Sequence, residues 1–421
     1  MRLTKRVLGA LLIVVGSVVA GCGRGHREHA VIGVDAPVSL ADRPVHLKIS
    51  GLSPHDTIEV GGAAQDYQGG RWHSQAVFRA DGHGVVDLEH ARARSGTYTG
   101  VDGMGLFWSM VPPSGDADDR SFVPPPPNVR AACDVQITVD AHGHRLAART
   151  LTRQWLTPGV GHQSLTLADD KVDGDLYLPP PTRDRHPAVL LFGGSEGGND
   201  GSFDAALLAS HGYPALSLAY FRDPGLPATL QDIPLEYFAR AARLLAAQPG
   251  ADPAHVVARG ISRGTEAALL LGQLYPRLIH GVILYSPSNR VNPGLGTRGA
   301  SGAAWTWHGR PIPQKVIPLD HVDGPVLAIA GADDRLWPEA STWARQIMTD
   351  LDHDHDRFPH QALIHPRAGH GVGTFPYGAA GVVVTNPTDG RTLRLGGTRA
   401  DNAAARAQDW PKVLAFLAAM S

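Results

Sequence analysis

Cysteine is almost absent: Cys22 and Cys133 are the two in 421 residues. Two thiols build neither a four-cysteine zinc site nor a disulfide framework, so the chain must stabilise itself with an ordinary hydrophobic core. Basic runs are missing too, and a formal net charge of −2 leaves no electrostatic footprint for nucleic acid. The apolar run near the start, Val7 to Ala20, is 14 residues, short of the roughly 20 that a membrane span needs. What is present is ordinary for a globular protein: 43% hydrophobic and 19% charged residues, too apolar for a disordered chain. The length suits two or three domains with a large core. Glycine (49) and proline (33) are plentiful, so turns and short elements should be many.

The first residues read as an address. Arg2, Lys5 and Arg6 precede the apolar run, which ends in Val19-Ala20-Gly21-Cys22. This resembles the lipobox of bacterial lipoproteins, in which the Cys is acylated and the peptide is cut before it. Residues 1–21 are then a signal peptide, Cys22 the lipidation site, and the polar stretch 22–32 a tether. The reading puts the protein on the extracytoplasmic side of a bacterial membrane, touching it through the anchor alone. Cys133, left by itself in a β-rich segment, reads as a small core hydrophobe. The tract Asp352-His353-Asp354-His355-Asp356 invites a metal, but its place between a helical stretch and an apolar strand reads as a solvated loop.

Two bodies follow. From 33 to 165 short alternating runs, such as Val45 to Ile49, Gln75 to Arg79 and Asp134 to Val139, are separated by turn signals at Gly61-Gly62, Gly69-Gly70 and Asp81-Gly82. That rhythm predicts an all-β sandwich, with Pro124 to Pro127 as a surface loop. From 166 to 421 apolar strand runs (Ala188 to Phe192, Ala215 to Tyr220, Val256 to Ile261, Gly281 to Tyr285, Val326 to Ala330, Ala362 to His365) alternate with helical patterns at Pro234 to Gln248, Thr265 to Tyr275 and Ala403 to Ala419. Alternation of this kind predicts an α/β fold with a doubly wound, mostly parallel sheet, and ligands gather at the carboxyl ends of such strands.

The chemistry lies in an ordered Ser, Asp and His. Gly260-Ile261-Ser262-Arg263-Gly264 matches the nucleophile elbow, and a second match stands at Gly193-Gly194-Ser195-Glu196-Gly197. Context separates them. Ser262 follows a strand and opens a helical run, whereas Ser195 is followed by Gly197-Gly198-Asn199-Asp200-Gly201, which cannot start a helix at once. Ser262 is therefore the candidate nucleophile, and residues 193–198 the candidate oxyanion loop, with N–H donors from Gly194 and Arg263. A carboxylate and a base should follow in that order. Gly331-Ala332-Asp333-Asp334 and Gly369-His370-Gly371 each stand just past a strand, so Asp334 and His370 complete the candidate triad. Asp333 is a rival acid or a helix cap. Neither cofactor nor metal is called for.

Several of these residues, taken together, resemble the acyl-CoA thioesterase and bile acid-CoA:amino acid N-acyltransferase family. In the first body they are Gly96-Thr97-Tyr98-Thr99-Gly100 and Met104 to Met110. In the second they are Leu226-Pro227, Ile233 to Phe238, the elbow, Asp333-Asp334 with Trp337, Gly369-His370, and Gly396-Gly397 before Trp410. The resemblance implies an α/β-hydrolase preceded by a β-sandwich, with nucleophile, acid and base at Ser262, Asp334 and His370. It implies hydrolysis of a small-molecule acyl thioester through a covalent acyl-enzyme. The family's bile-acid conjugating members carry Cys where this chain has Ser262, so hydrolysis should outweigh transfer to an amine. The lipobox departs from the family, whose familiar members act on acyl-CoA inside cells. An envelope esterase, amidase or peptidase, or an inactive binding lipoprotein, are the alternatives.

Overall fold

The computed structural model describes residues 30–354, 357–387 and 390–421. The expected signal peptide, Cys22, most of the expected tether, and His355 and Asp356 of the histidine tract lie outside the described residues. Asp352 and His353 end the helix Ala340–His353 and Asp354 caps it, so the expected loop begins two residues later.

The first body is a sandwich. A six-stranded sheet places Val38–Leu40, His144–Gln154, Ala132–Ala141, Thr57–Gln65, Arg71–Arg79 and Ser95–Gly96 side by side. It faces a three-stranded sheet of Val31–Val34, Leu47–Ser50 and Val86–Asp87. Period-two patterning drives the arrangement. In Arg71–Arg79 the residues Trp72, Ser74, Ala76 and Phe78 are buried while Arg71, His73, Gln75 and Arg79 are exposed. Trp72, Ala76 and Phe78 pack with Leu47, Ile49 and Ile137 in one core. The segment 124–127 forms no strand or helix, as expected, although Pro124 and Pro127 are buried.

The second body is an eight-stranded sheet in the order Gly161–Leu165, Asp173–Leu178, Ala215–Ala219, His186–Phe192, Ala251–Ile261, Gly281–Tyr285, Val326–Gly331, His360–His365. The first two strands run antiparallel; from Ala215–Ala219 onward the pairings are parallel. The two antiparallel strands are absent from the sequence reading. Gly161–Leu165 is mostly exposed and polar, an edge strand with no apolar signature, which is why it reads as the tail of the sandwich. Alternate residues of the central strands bury to opposite faces. Leu190, Val256, Val282 and Ala328 meet the helices Leu235–Ala246, Arg263–Leu274 and Ala340–His353. Leu191, Val257, Ile283 and Leu327 meet Ser202–Ser210 and Arg399–Ala418. The last helix starts four residues earlier than its apolar pattern, because the Thr398 side chain accepts the Asp401 N–H and caps it.

The sandwich is joined to the second of these faces. Leu40, Ala41, Cys133 and Trp155 belong to the same core as Leu207 and Trp410. Asp42 Oδ2 accepts the Trp410 indole N–H at 2.6 Å and lies 2.5 Å from His211 Nε2. The Phe122 N–H donates to the Ala379 carbonyl at 2.8 Å, gripping the segment that follows His370. Cys133 sits in this seam, and burial pushes its thiol up to about 11. The expected outcome is that iodoacetamide at pH 8 modifies the Cys133 peptide more than about a hundredfold more slowly in folded than in urea-unfolded protein, since the thiolate is the reactive form. Equal rates would contradict that placement.

Candidate active site

Strand Ala251–Ile261 ends at Ser262, and helix Arg263–Leu274 begins immediately after it. Ser262 takes φ +52° and ψ −120°, a strained conformation for a residue with a Cβ, costing about 1–3 kcal/mol. The Ser262 N–H donates to the Tyr285 carbonyl at 2.9 Å, and the Ser262 carbonyl accepts from the Thr265 N–H at 2.9 Å and hydroxyl at 2.6 Å. The flanking glycines have steric reasons to be glycine. A Cβ on Gly260 would lie 2.4 Å from the Gly264 carbonyl oxygen, and one on Gly264 would lie 2.3 Å from the Gly193 carbonyl oxygen. Both opposing atoms are backbone and cannot give way. Gly264→Ala is therefore expected to lower stability by about 1–3 kcal/mol, read as a fall in thermal midpoint, and to displace the 193–198 loop. An unchanged midpoint would contradict the packing.

The candidate base and acid come from later strand ends. Past Val326–Gly331, Asp334 is buried, and its Oδ2 lies 2.7 Å from His370 Nδ1. Its Oδ1 accepts the Leu336 and Trp337 N–H groups at 2.9 and 2.7 Å. A carboxylate only accepts, so Nδ1 carries the proton and Nε2 is the basic nitrogen. Among the described residues that Nε2 is buried without a partner. The turn bearing His370 is held from several sides: its N–H donates to Leu395, its carbonyl accepts from the Ser286 hydroxyl, and the neighbouring Gly369 N–H donates to Asn402 Oδ1. Asp333 faces elsewhere. It accepts the Gly397 N–H at 3.0 Å, caps no helix, and makes no contact with His370 in the hydrogen-bond pattern. The late Gly396-Gly397 pair has its reason here as well. A Cβ on Gly396 would lie 1.9 Å from the Asp333 carbonyl oxygen, and one on Gly397 2.5 Å from the Gly369 nitrogen, so the chain threads between the acid and base turns.

Ser262 and His370 line one cavity of about 280 Å³, closed by Ile261, Leu336, Val384 and Leu395. A second cavity, about 270 Å³, opens from Ser262 toward Asn292, Leu295, Trp337 and Arg391. Both are lined by Leu393 of a hairpin, Val383–Thr385 with Thr392–Arg394, that carries no clear signal in the sequence. A larger cavity, about 820 Å³, lies at the opposite ends of the strands beside Val326 and His360 and is lined by none of Ser262, Asp334 and His370.

The two expected oxyanion donors differ. Arg263 N–H is the first amide of its helix, which has no carbonyl in a preceding turn to bond. The Arg263 side chain is withdrawn into a buried pair with Glu266 at 2.7 Å, so it offers the site an amide and no free cation. Gly194 packs on the nucleophile, a Cβ there falling 2.9 Å from Ser262 Cβ. Its N–H, however, donates to the Glu196 carboxylate. The amide expected to serve the oxyanion is thus occupied by a side chain folding back on its own loop. Glu196 and Asp200 are the residues of this site that sequence reasoning missed; they line the 280 Å³ cavity.

Residues 42–166 match the model of the acyl-CoA thioester hydrolase/BAAT N-terminal region, and residues 304–420 that of the BAAT/acyl-CoA thioester hydrolase C terminus. The chain belongs to this family. Asp334 and His370 fall within the second match, and Ser262 between the two. The family's curated relatives span nearly the whole chain. Acyl-coenzyme A thioesterase 6 of Mus musculus is 28% identical over 90% of this chain and 93% of its own. Acyl-coenzyme A amino acid N-acyltransferase 1 of Mus musculus is likewise 28% identical, over 90% and 94%. Among solved structures, a dienelactone hydrolase-like promiscuous phosphotriesterase from metagenomic libraries is 16% identical over 62% of this chain and 98% of that chain, with a TM-score of 0.39. By its family match and these relatives the protein is an enzyme of the hydrolase class, with a mostly parallel α/β body behind a β-sandwich.

Proposed function

We propose that the protein hydrolyses an acyl thioester through a covalent intermediate on Ser262, anchored by Cys22 to the outer side of a bacterial membrane. One observation carries the catalytic reading. His370 holds Asp334 at 2.7 Å with Nδ1 and keeps a bare Nε2 in the cavity that Ser262 lines. Resting enzymes of this kind commonly leave the base–nucleophile bond to be completed by substrate. As Ser262 Oγ bonds the acyl carbon, its proton passes to His370 Nε2, and Asp334 stabilises the imidazolium. The carbonyl π electrons move onto oxygen, facing the Arg263 and Gly194 amides. Collapse of the adduct breaks the carbon–sulfur bond, and His370 returns the proton to the thiolate. Water then repeats the sequence on the acyl-enzyme, releasing the acid and Ser262.

The test is a fluorophosphonate probe, which should label the wild type and leave Ser262→Ala unlabelled. Labelling of Ser262→Ala would overturn the assignment. Matched thioesters, oxygen esters and amides of equal chain length then read the leaving group; a wide excess of kcat/KM for oxygen esters would overturn the thioester reading in favour of an envelope esterase. Detergent partitioning with mass spectrometry of the mature N-terminus tests the anchor, and an intact Met1 would overturn it.

The nucleophile also bears on hydrolysis against transfer. An oxygen ester on Ser262 is more strongly delocalised than a thioester, and less disposed toward amines relative to water. Little N-acyl product is therefore expected with glycine or taurine in excess. Ser262→Cys should lose overall rate while its ratio of aminolysis to hydrolysis rises. Product analysis decides, and an unchanged ratio would contradict the explanation.

A further inference from the structure

The loop from Phe192 to Ser202 carries two acids that the scheme above leaves unused. Glu196 turns back on this loop, and its Oε1 accepts the Gly194 N–H. Its Oε2 lies 3.0 Å from the point where a Gly194 Cβ would stand, as close as Ser262 Cβ at 2.9 Å. A carboxylate thus sits on the amide assigned to the oxyanion, beside the nucleophile. Asp200 backs it. The corresponding point on Gly193 lies 2.3 Å from Glu196 Oε1 and 3.1 and 3.3 Å from the two Asp200 oxygens. Asp200 is exposed as a residue, and its two carboxyl oxygens stand with Glu196 Oε1 around that one point on Gly193. Crowding away from water and the Glu196 charge hold Asp200 well above the usual carboxylate range.

We propose that Glu196 is a gate on the oxyanion hole: its carboxylate occupies the Gly194 amide in the resting enzyme, and the substrate carbonyl must displace it before Ser262 attacks. The inference rests on the catalytic reading above. A carboxylate oxygen has the charge and size of the tetrahedral oxyanion, and its charge-assisted bond to an N–H outcompetes that of a neutral carbonyl. Displacement is therefore a penalty on binding, which belongs in KM more than in kcat. Asp200 stands beside the gate as a second acid. The groups facing the pair are Arg222, which donates to the Glu196 carbonyl, and Tyr220, whose hydroxyl donates to the Gly193 and Gly194 carbonyls. Arg406 and His370 line the shared cavity, and Arg259 acts on Asp200 from the strand behind.

The experiment measures the second-order rate of fluorophosphonate labelling in the wild type, E196Q and E196A, with thermal midpoints alongside. In this reaction Ser262 Oγ bonds phosphorus, fluoride leaves, the proton passes to His370, and the P=O oxygen needs the same hole. E196A should label about tenfold to a hundredfold faster than wild type at pH 8, with E196Q between them. With a thioester substrate, E196A should lower KM with kcat little changed. If E196A does not fold, the E196Q comparison decides by the same criterion. Wild-type labelling that neither variant exceeds overturns the gate alone. Absence of labelling at Ser262 in every protein overturns the gate and the catalytic reading together.

Discussion

Ser262→Ala is expected to lower kcat/KM by about 10⁴-fold or more, with the thermal midpoint nearly unchanged. A scheme in which Oγ becomes the acyl carrier has no partial substitute for that atom, so the loss should approach that of the whole triad. What survives should be the modest acceleration of binding and the oxyanion amides, and KM should move far less than kcat. Steady-state kinetics with circular dichroism as the folding control reads this directly. A variant retaining a tenth of wild-type activity would mean that water attacks the substrate without the serine.

The second large effect separates two adjacent carboxylates. Asp334→Asn is expected to lower kcat by roughly 10³- to 10⁴-fold. The amide that replaces Oδ2 can present N–H to His370 Nδ1, fixing the tautomer whose Nε2 bears the proton and cannot accept one from Ser262. The variant should keep its fold, because the new side-chain oxygen can still accept the Leu336 and Trp337 N–H groups that Oδ1 now takes at 2.9 and 2.7 Å. Asp333→Asn should change kcat by less than about threefold, since Asp333 bonds Gly397 and faces away from the imidazole. Equal losses in the two variants, measured by kcat at saturating substrate, would contradict the assignment of the acid.

Much of this site is legible in the chain. Ser262 and His370 are marked by glycine on both sides at strand ends, and at Gly260, Gly264 and Gly369 a neighbouring backbone approaches so closely that a side chain is excluded. The parallel strands announce themselves through unbroken apolar runs, because both faces of the sheet are covered by helices. The choice between Asp333 and Asp334 is open in sequence and closed by geometry, since one residue of rotation along a turn decides which carboxylate meets the imidazole. Gly194 illustrates the opposite limit. A glycine-rich loop identifies itself, but nothing in its spacing reveals that Glu196, two residues on, folds back onto the Gly194 amide. The hairpin that lines both cavities is missed for a simpler reason: strands of three residues, Val383–Thr385 and Thr392–Arg394, carry too little alternation to stand out. The edge strand Gly161–Leu165 is hidden because solvent on its outer side removes the apolar signal that a buried strand needs.

The central claim is that the acyl group passes through Ser262, and intact-protein mass spectrometry of acid-quenched turnover mixtures tests it most directly. Mixing enzyme with excess acyl thioester and quenching within the first turnovers should give a species heavier by one acyl group, mapped by peptide analysis to Ser262. It should disappear as substrate is exhausted and be absent from Ser262→Ala. Full turnover with no adduct in the wild type and undiminished hydrolysis by Ser262→Ala, or an adduct on another residue that forms and decays at the rate of turnover, would contradict the account.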